Sequence, residues 1–296
     1  MRILNFKKLG KAFLCAIPLL CLPTAVLAEW SGNTGVEIRH DNNINNAQSG
    51  NDIAGDSVFG AGISATNFFP FEAGNSLSLS VELKGEAFNN YTGLSNLSLG
   101  AALAFRKKLA LGPYAPWVGL SLSSAHLNYD NNIRNGWRHQ AAIRGGKRVF
   151  ERWDVRAEYM VERRTANALP QDIPGISSDI FSQSSRAMTL NAEYTWSDSL
   201  FLTFGSLLRH GDVVASTRRG RKIFSASKAI ADDPVFGPDF YAYRMAGTSY
   251  GLNMGVNIAV TSHSTLHTSL ARQLTYAEGD NNYAKTVTML SWNYNF

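Results

Sequence analysis

The final stretch of the chain reads Thr286-Val287-Thr288-Met289-Leu290-Ser291-Trp292-Asn293-Tyr294-Asn295-Phe296. Leu290, Trp292, Tyr294 and Phe296 are apolar, and Ser291, Asn293 and Asn295 stand between them. Successive side chains of a strand point to opposite sides, so a period of two sends these two sets to opposite faces of a sheet. The same alternation recurs upstream. Leu77, Leu79, Val81 and Leu83 alternate with Ser78, Ser80, Glu82 and Lys84. Val155, Ala157, Tyr159 and Val161 alternate with Asp154, Arg156, Glu158 and Glu162. Met188, Leu190, Ala192, Tyr194 and Trp196 alternate with Thr189, Asn191, Glu193 and Thr195, and every even residue from Tyr250 to Val260 is apolar.

About twelve segments of this kind lie near 29–40, 55–68, 75–89, 94–108, 115–129, 136–149, 153–166, 183–196, 199–214, 241–261, 264–277 and 281–296. Pro70–Asn75, Ala110–Tyr114, Phe150–Arg152, Ser197–Asp198 and Thr261–Ser262 read as tight turns. His40–Ala54, Asp130–Asn135, Leu169–Ser182 and above all Ala215–Phe240 are longer. An even number of strands, with short turns at one end and longer loops at the other, is the plan of a bacterial outer-membrane barrel. A soluble sandwich also alternates, but its strands average about 5–6 residues. These are nearer the length of about 9–11 residues with which a tilted strand crosses a bilayer. The expected fold is all-β, a transmembrane antiparallel barrel of about twelve strands over 29–296. Hydrocarbon cannot satisfy an open sheet edge, so the first strand must pair with the last.

The composition agrees. Of 296 residues 45% are hydrophobic and 17% charged, which argues against disorder and against a coiled coil. The net charge of +5 is concentrated at the start, where Arg2, Lys7, Lys8 and Lys11 meet no acid within the first 28 residues. The remaining 24 bases face 23 acids, too even a balance for a nucleic-acid binder. Met1–Lys11 is a basic region, Ala12–Leu27 an apolar run interrupted by Pro18 and Pro23, and Val26-Leu27-Ala28 offers small residues at −3 and −1. This predicts a cleaved export signal over 1–28 and a mature chain from Glu29; the alternative is an uncleaved N-terminal anchor. Both cysteines, Cys15 and Cys21, fall in that segment, so the remainder has no disulfide, thiol nucleophile or Cys-based metal site.

Trp30, Trp117, Trp153, Trp196, Trp292, Tyr294 and Phe296 are expected to face outward near the periplasmic ends as one interfacial girdle, with Tyr129, Trp137, Tyr250 and Tyr276 contributing to the other. The terminal Trp292-x-Tyr294-x-Phe296 resembles the C-terminal signal by which single-chain outer-membrane proteins are recognised for insertion. That resemblance implies the barrel-insertion machinery as a partner. Arg39-His40-Asp41-Asn42-Asn43-Ile44 resembles an opening of the surface-lipoprotein-assembly barrels, but the chain has no room for their helical-repeat domain and that function is not carried over.

With the polar face inward, the lumen receives Glu37, Arg39, Glu82, Lys84, Glu86, Arg106, Arg138, Arg144, Arg148, Asp154, Arg156, Glu158, Glu162, Arg164, Glu193 and Arg209. The densest group places Arg138, Arg144 and Arg148 opposite Asp154, Arg156, Glu158, Glu162 and Arg164, where opposite signs on neighbouring strands attract. One reading is an ion-pair network that fills the barrel; the other is a charged track for an anionic solute. Arg272 falls on the lipid face by strict alternation, which a bulge or a rim position could accommodate.

Asp-Asn-Asn recurs at 41–43, 130–132 and 280–282, a composition that favours turns. Asp41-x-Asn43-x-Asn45 also matches the start of a calcium loop, but Asn46 replaces its glycine and Asp52 its closing glutamate. Arg218, Arg219, Arg221 and Lys222 form a basic run in the longest loop, either solvated or in contact with lipopolysaccharide phosphates. His267-x-Ser269 with Glu278 is one catalytic arrangement to weigh; His210, Asp212, His40 and Asp41, set near the rim as in omptin-like proteases, are another. Neither matches its template in spacing. The resulting expectation is a non-enzymatic channel or porin-like passive transporter of small solutes, anionic ones included. It uses no cofactor or metal and has outer-membrane lipid and lipopolysaccharide as surroundings. The alternative is a non-conducting structural or surface-interaction barrel.

Overall fold

The structure, a computed structural model, describes residues 30–48, 50–71, 74–167, 177 and 179–296. The expected signal segment 1–28 and Glu29 lie outside the described residues. Twelve long strands form the wall: β1 (Trp30–Asp41), β2 (Asp56–Pro70), β3 (Asn75–Phe88), β4 (Asn96–Lys108), β5 (Trp117–Tyr129), β6 (Gly136–Phe150), β7 (Trp153–Ala166), β8 (Gln183–Thr195), β9 (Leu200–Thr217), β11 (Tyr241–Ala259), β12 (Ser264–Ala277) and β13 (Tyr283–Asn295). Each pairs antiparallel with its neighbour, β9 with β11, and β13 closes the ring on β1. The seam is completed at the last residue, where the Phe296 amide donates to the Gly32 carbonyl at 2.9 Å and the Gly32 amide donates back at 2.8 Å.

The wall has two unlike faces because the alternation is unbroken along most strands. Outward positions are apolar and exposed, with Leu120, Leu122 and Leu252 at 56%, 60% and 70% exposure. Inward positions carry the polar and charged set. A monomer surrounded by water rarely exposes a continuous apolar band of this size. The apolar core lies elsewhere, at the long-loop end, where β9 and β11 project beyond their neighbours and the short β10 (Ala229–Asp232) takes the place of β12 beside β11. There Ala215, Ile230, Tyr243 and Met245 pack with Ile223 of the helix α1 (Arg221–Ala226), while Ile180, Phe181, Ala229, Ala231 and Ala242 form a second cluster.

The structure corrects two girdle assignments. Trp117 and Tyr129 face the lumen, because β5 turns Val118, Leu120 and Leu122 outward and the odd positions therefore point in. The Trp117 ring lies over Gly146 of β6, where a Cβ would come within 2.7 Å of the indole, and the Arg106 guanidinium stacks 4.3 Å from its centroid. Tyr129 sits 5.2 Å from the Arg164 guanidinium. Trp153, Trp196, Trp292, Tyr294 and Phe296 do follow the outward register, as do Trp137, Tyr250 and Tyr276. The 215–240 connector is also more than a loop, since it holds the ends of β9, α1 and β10.

Candidate functional site

The inward wall of β6 and β7 is built by register. Arg138, Gln140, Arg144 and Arg148 stand opposite Arg164, Glu162, Glu158 and Asp154. Arg144 Nε donates to Glu158, Gln140 Nε2 donates to Glu162 at 2.7 Å, and Arg164 donates to the Arg134 carbonyl at 2.7 Å. Asp154 turns from Arg148 to Arg156 two residues along its own strand, at 2.8 Å. Arg138 and Arg148 are exposed and make no ion pair among the described residues. The wall is a partly compensated ladder with two uncommitted guanidinium groups.

A second charged cluster lies on β1 and β3. Lys84 lies 3.3 Å from both Glu37 and Glu86, and Arg39 lies 3.6 Å from Glu37 and 3.5 Å from Glu86. These strands are not neighbours; β2 runs between them. The side chains meet because the intervening inward positions are Gly60 and Gly62. A Cβ at Gly60 would come within 2.6 Å of Glu37 Cγ. Sequence reading placed all four charges in the lumen without seeing that they join, and the available signal was the Gly-x-Gly at inward positions of β2.

The long-loop mouth is spanned. The segment from Asp233 to Phe236, carried between β10 and β11, crosses to the far side of the ring. There Val235 packs against Gly93 and the Phe236 ring lies 5.0 Å from Tyr91, both in the β3–β4 connector. Asp233 is fully buried and accepts from Arg134 of the β5–β6 connector at 2.6 Å and from Ser216 at 2.5 Å. The β1–β2 connector fastens the same region: Asn45 donates to the Ser216 carbonyl at 2.7 Å and Asn46 to the Val214 carbonyl at 2.9 Å. Beneath this strap is a cavity of about 310 Å³ whose lining includes Arg134, Arg164, Arg209, Gln273 and Lys285.

The other sequence candidates do not assemble into sites. Asn43 and Asn45 spend their amides on main-chain carbonyls within and beside their own loop. His267 binds Asn257 at 2.5 Å, and Glu278 accepts from the Ala246 amide. His40 binds Ser57 while His210 binds Thr248 on the far strands β9 and β11, so the rim histidines and acids do not converge. In the basic run, Arg218 pairs with Asp52 at 2.8 Å, Arg219 donates to the Tyr241 hydroxyl at 2.5 Å, and Lys222 donates to Asp280 at 2.7 Å. Arg221 stays exposed at the start of α1. The Lys222 hydrogen bond and charge hold the Asp280 carboxyl below its ordinary range.

No protein-family model and no curated protein sequence matches the chain. Among solved structures, an outer membrane channel from Pseudomonas putida F1 superposes with a TM-score of 0.55 at 12% identity, over 90% of this chain and 96% of that one. The KdgM porin in complex with disordered oligogalacturonate gives 0.42 at 12% identity over 88% and 99%. The NanC porin gives 0.42 at 9% identity over 88% and 98%. At such identities the likeness is one of fold. The chain is a closed twelve-stranded antiparallel β-barrel, similar in fold to the Pseudomonas putida channel.

Proposed function

We propose that the chain is an outer-membrane channel through whose lumen small polar solutes, anions among them, pass passively. The observation that carries this reading is the charged inward wall of β6 and β7, with Arg138 and Arg148 uncommitted, in a closed barrel whose outer face is apolar. A wall meant only to fill the barrel would pair its charges, because an unpaired charge left without water is costly. An uncommitted guanidinium keeps its charge at any working pH and attracts anions along the wall. On this reading the long loops are extracellular and the short turns periplasmic, and Trp292, Tyr294 and Phe296 form the end read by the insertion machinery. The test is conductance of the refolded mature chain in planar bilayers. Discrete open steps are expected; silence from samples that migrate as folded, heat-modifiable barrel would contradict the proposal.

The strap from Asp233 to Phe236 favours a second reading, in which the barrel is plugged and serves a structural or surface role. The two differ in one outcome: a plugged barrel stays silent until the strap is loosened.

A further inference from the structure

The outward face carries a belt of basic residues at one height. On β7 the apolar outward run of Val155, Ala157, Tyr159 and Val161 ends at Arg163. On β8 it ends at Arg186 and on β9 at His210, whereas on β12 Arg272 interrupts an outward run that Leu274 and Tyr276 continue. His126, His139 and His40 hold the matching positions on β5, β6 and β1. All seven are exposed. Two pairs are register partners: Arg163 stands directly opposite His139, and Arg186 directly opposite His210. No aspartate or glutamate occupies an outward strand position at or below this height among the described residues; Asp212, at the rim above it, is held by Lys228 and Ser184. The other carboxylates of the twelve wall strands face the lumen.

The contacts within the belt leave its charge uncancelled. His40, His139 and His210 each use Nδ1 on a hydroxyl, those of Ser57, Ser124 and Thr248, and Arg272 donates to the Thr286 hydroxyl at 2.6 Å. These bonds orient the groups without neutralising them. Arg163 and Arg186 make no hydrogen bond or ion pair among the described residues. The guanidinium groups of Arg163, Arg186 and Arg272 keep their charge at any working pH and so invite an anion.

The height of the belt identifies where that anion comes from. From Trp153 in the lower girdle to Arg163 is ten residues along β7. At about 3.3 Å per residue and a tilt near 45°, this rises roughly 23 Å, close to the apolar band of about 25 Å on such barrels. Trp137, stacked on His139, flanks the belt, and the Tyr250–Tyr276 pair stands beyond Arg272 toward the long-loop end; these rings mark the upper interface.

We propose that this belt is a docking surface for the phosphate groups of outer-leaflet glycolipid, with Arg163, Arg186 and Arg272 as its principal donors. The proposal rests on the outer-membrane reading above. It assigns lipid contact to the barrel wall, since three of the four bases in the Arg218–Lys222 run are engaged within the protein.

The test uses the folded mature chain in micelles doped with diphosphorylated lipid A, dephosphorylated lipid A or phosphatidylglycerol, with bound lipid counted by native mass spectrometry. Wild type should retain diphosphorylated lipid A several-fold better than either other lipid. The triple variant Arg163→Gln/Arg186→Gln/Arg272→Gln should lose that preference. The quadruple Gln variant at Arg218, Arg219, Arg221 and Lys222 should keep it. Equal retention of dephosphorylated lipid A or phosphatidylglycerol by wild type, or an undiminished preference in the triple variant, overturns the belt. Heat-modifiable migration and conductance are scored on the same samples. A conducting barrel without the preference therefore refutes the belt alone, and a chain that forms no barrel refutes the membrane reading with it. Single Arg163→Gln and Arg186→Gln variants, each expected to weaken retention in part, keep the test decisive should the triple variant misfold.

Discussion

Arg134 donates to Asp233 at 2.6 Å, and this buried pair ties the β5–β6 connector to a strap anchored on β9 and β11. The carboxylate is fully buried, and the guanidinium lies 4.1 Å from the Phe181 ring. Few contacts are better placed to decide whether the mouth stays covered.

Removing one partner of such a pair costs roughly 3–5 kcal/mol, because the other is left as a buried charge. In Asp233→Asn that cost should be met by release of the strap, since the barrel wall is held by its own ladders. The expected outcome is faster proteolysis between residues 218 and 240 and larger single-channel conductance, with unchanged heat-modifiability. Arg134→Met combined with Asp233→Leu, which removes both charges, should restore much of the protection.

Gly60 is where β1 and β3 reach each other across β2. Gly60→Val would push a side chain into Glu37 and separate the Glu37–Lys84 and Arg39–Glu86 contacts. Overpacking of this kind costs about 1–3 kcal/mol. The urea midpoint of the vesicle-inserted barrel should fall accordingly, whereas Gly85→Ala, on the outward face of the adjacent strand with nothing closer than 3.8 Å, should change it little.

Deletion of Phe296 removes both the ring over Gly32 and the two main-chain bonds that finish the seam. The expected result is loss of outer-membrane insertion and degradation of the exported chain, read as the absence of heat-modifiable barrel. Phe296→Tyr should insert normally.

The contact between Lys222 and Asp280 ties α1 to the β12–β13 connector at a surface-exposed site. Because Asp280 titrates below its usual range in the folded protein, the tether is complete above the ordinary carboxylate pKa of about 3.9 and is lost as pH falls through the depressed value. Carboxyl titration of Asp280 followed by NMR should therefore move upward in Lys222→Gln.

The wall was legible because lipid and lumen impose one rule on every residue. Along β7 and the second half of β13 the period of two is unbroken, so the face of each residue can be read from the chain alone, whereas register and strand ends cannot. Trp117 shows where residue type misleads: aromatic identity suggested the girdle, but Val118, Leu120 and Leu122 set the register and send the ring inward. The strap was not legible. Arg134 and Asp233 are far apart in sequence, and neither carries a local pattern that announces the other. The segment Ala229-Ile230-Ala231 was short enough to pass as part of a solvated loop, although its burial between two clusters makes the connector a folded lid. The outward belt was visible only in part, as the awkward Arg272, because its other members become one feature only when the strands are laid side by side.

The most direct test of the channel account is the reversal potential of single channels across a salt gradient, compared between Arg144→Gln/Arg148→Gln and Glu158→Gln/Glu162→Gln. If solutes pass along the β6–β7 wall, the first variant shifts toward cation preference and the second toward anions. Both shifts should shrink at high salt as screening shortens the reach of each charge. A conducting wild type whose reversal potential neither variant moves would contradict the account, because these residues would then stand apart from the path.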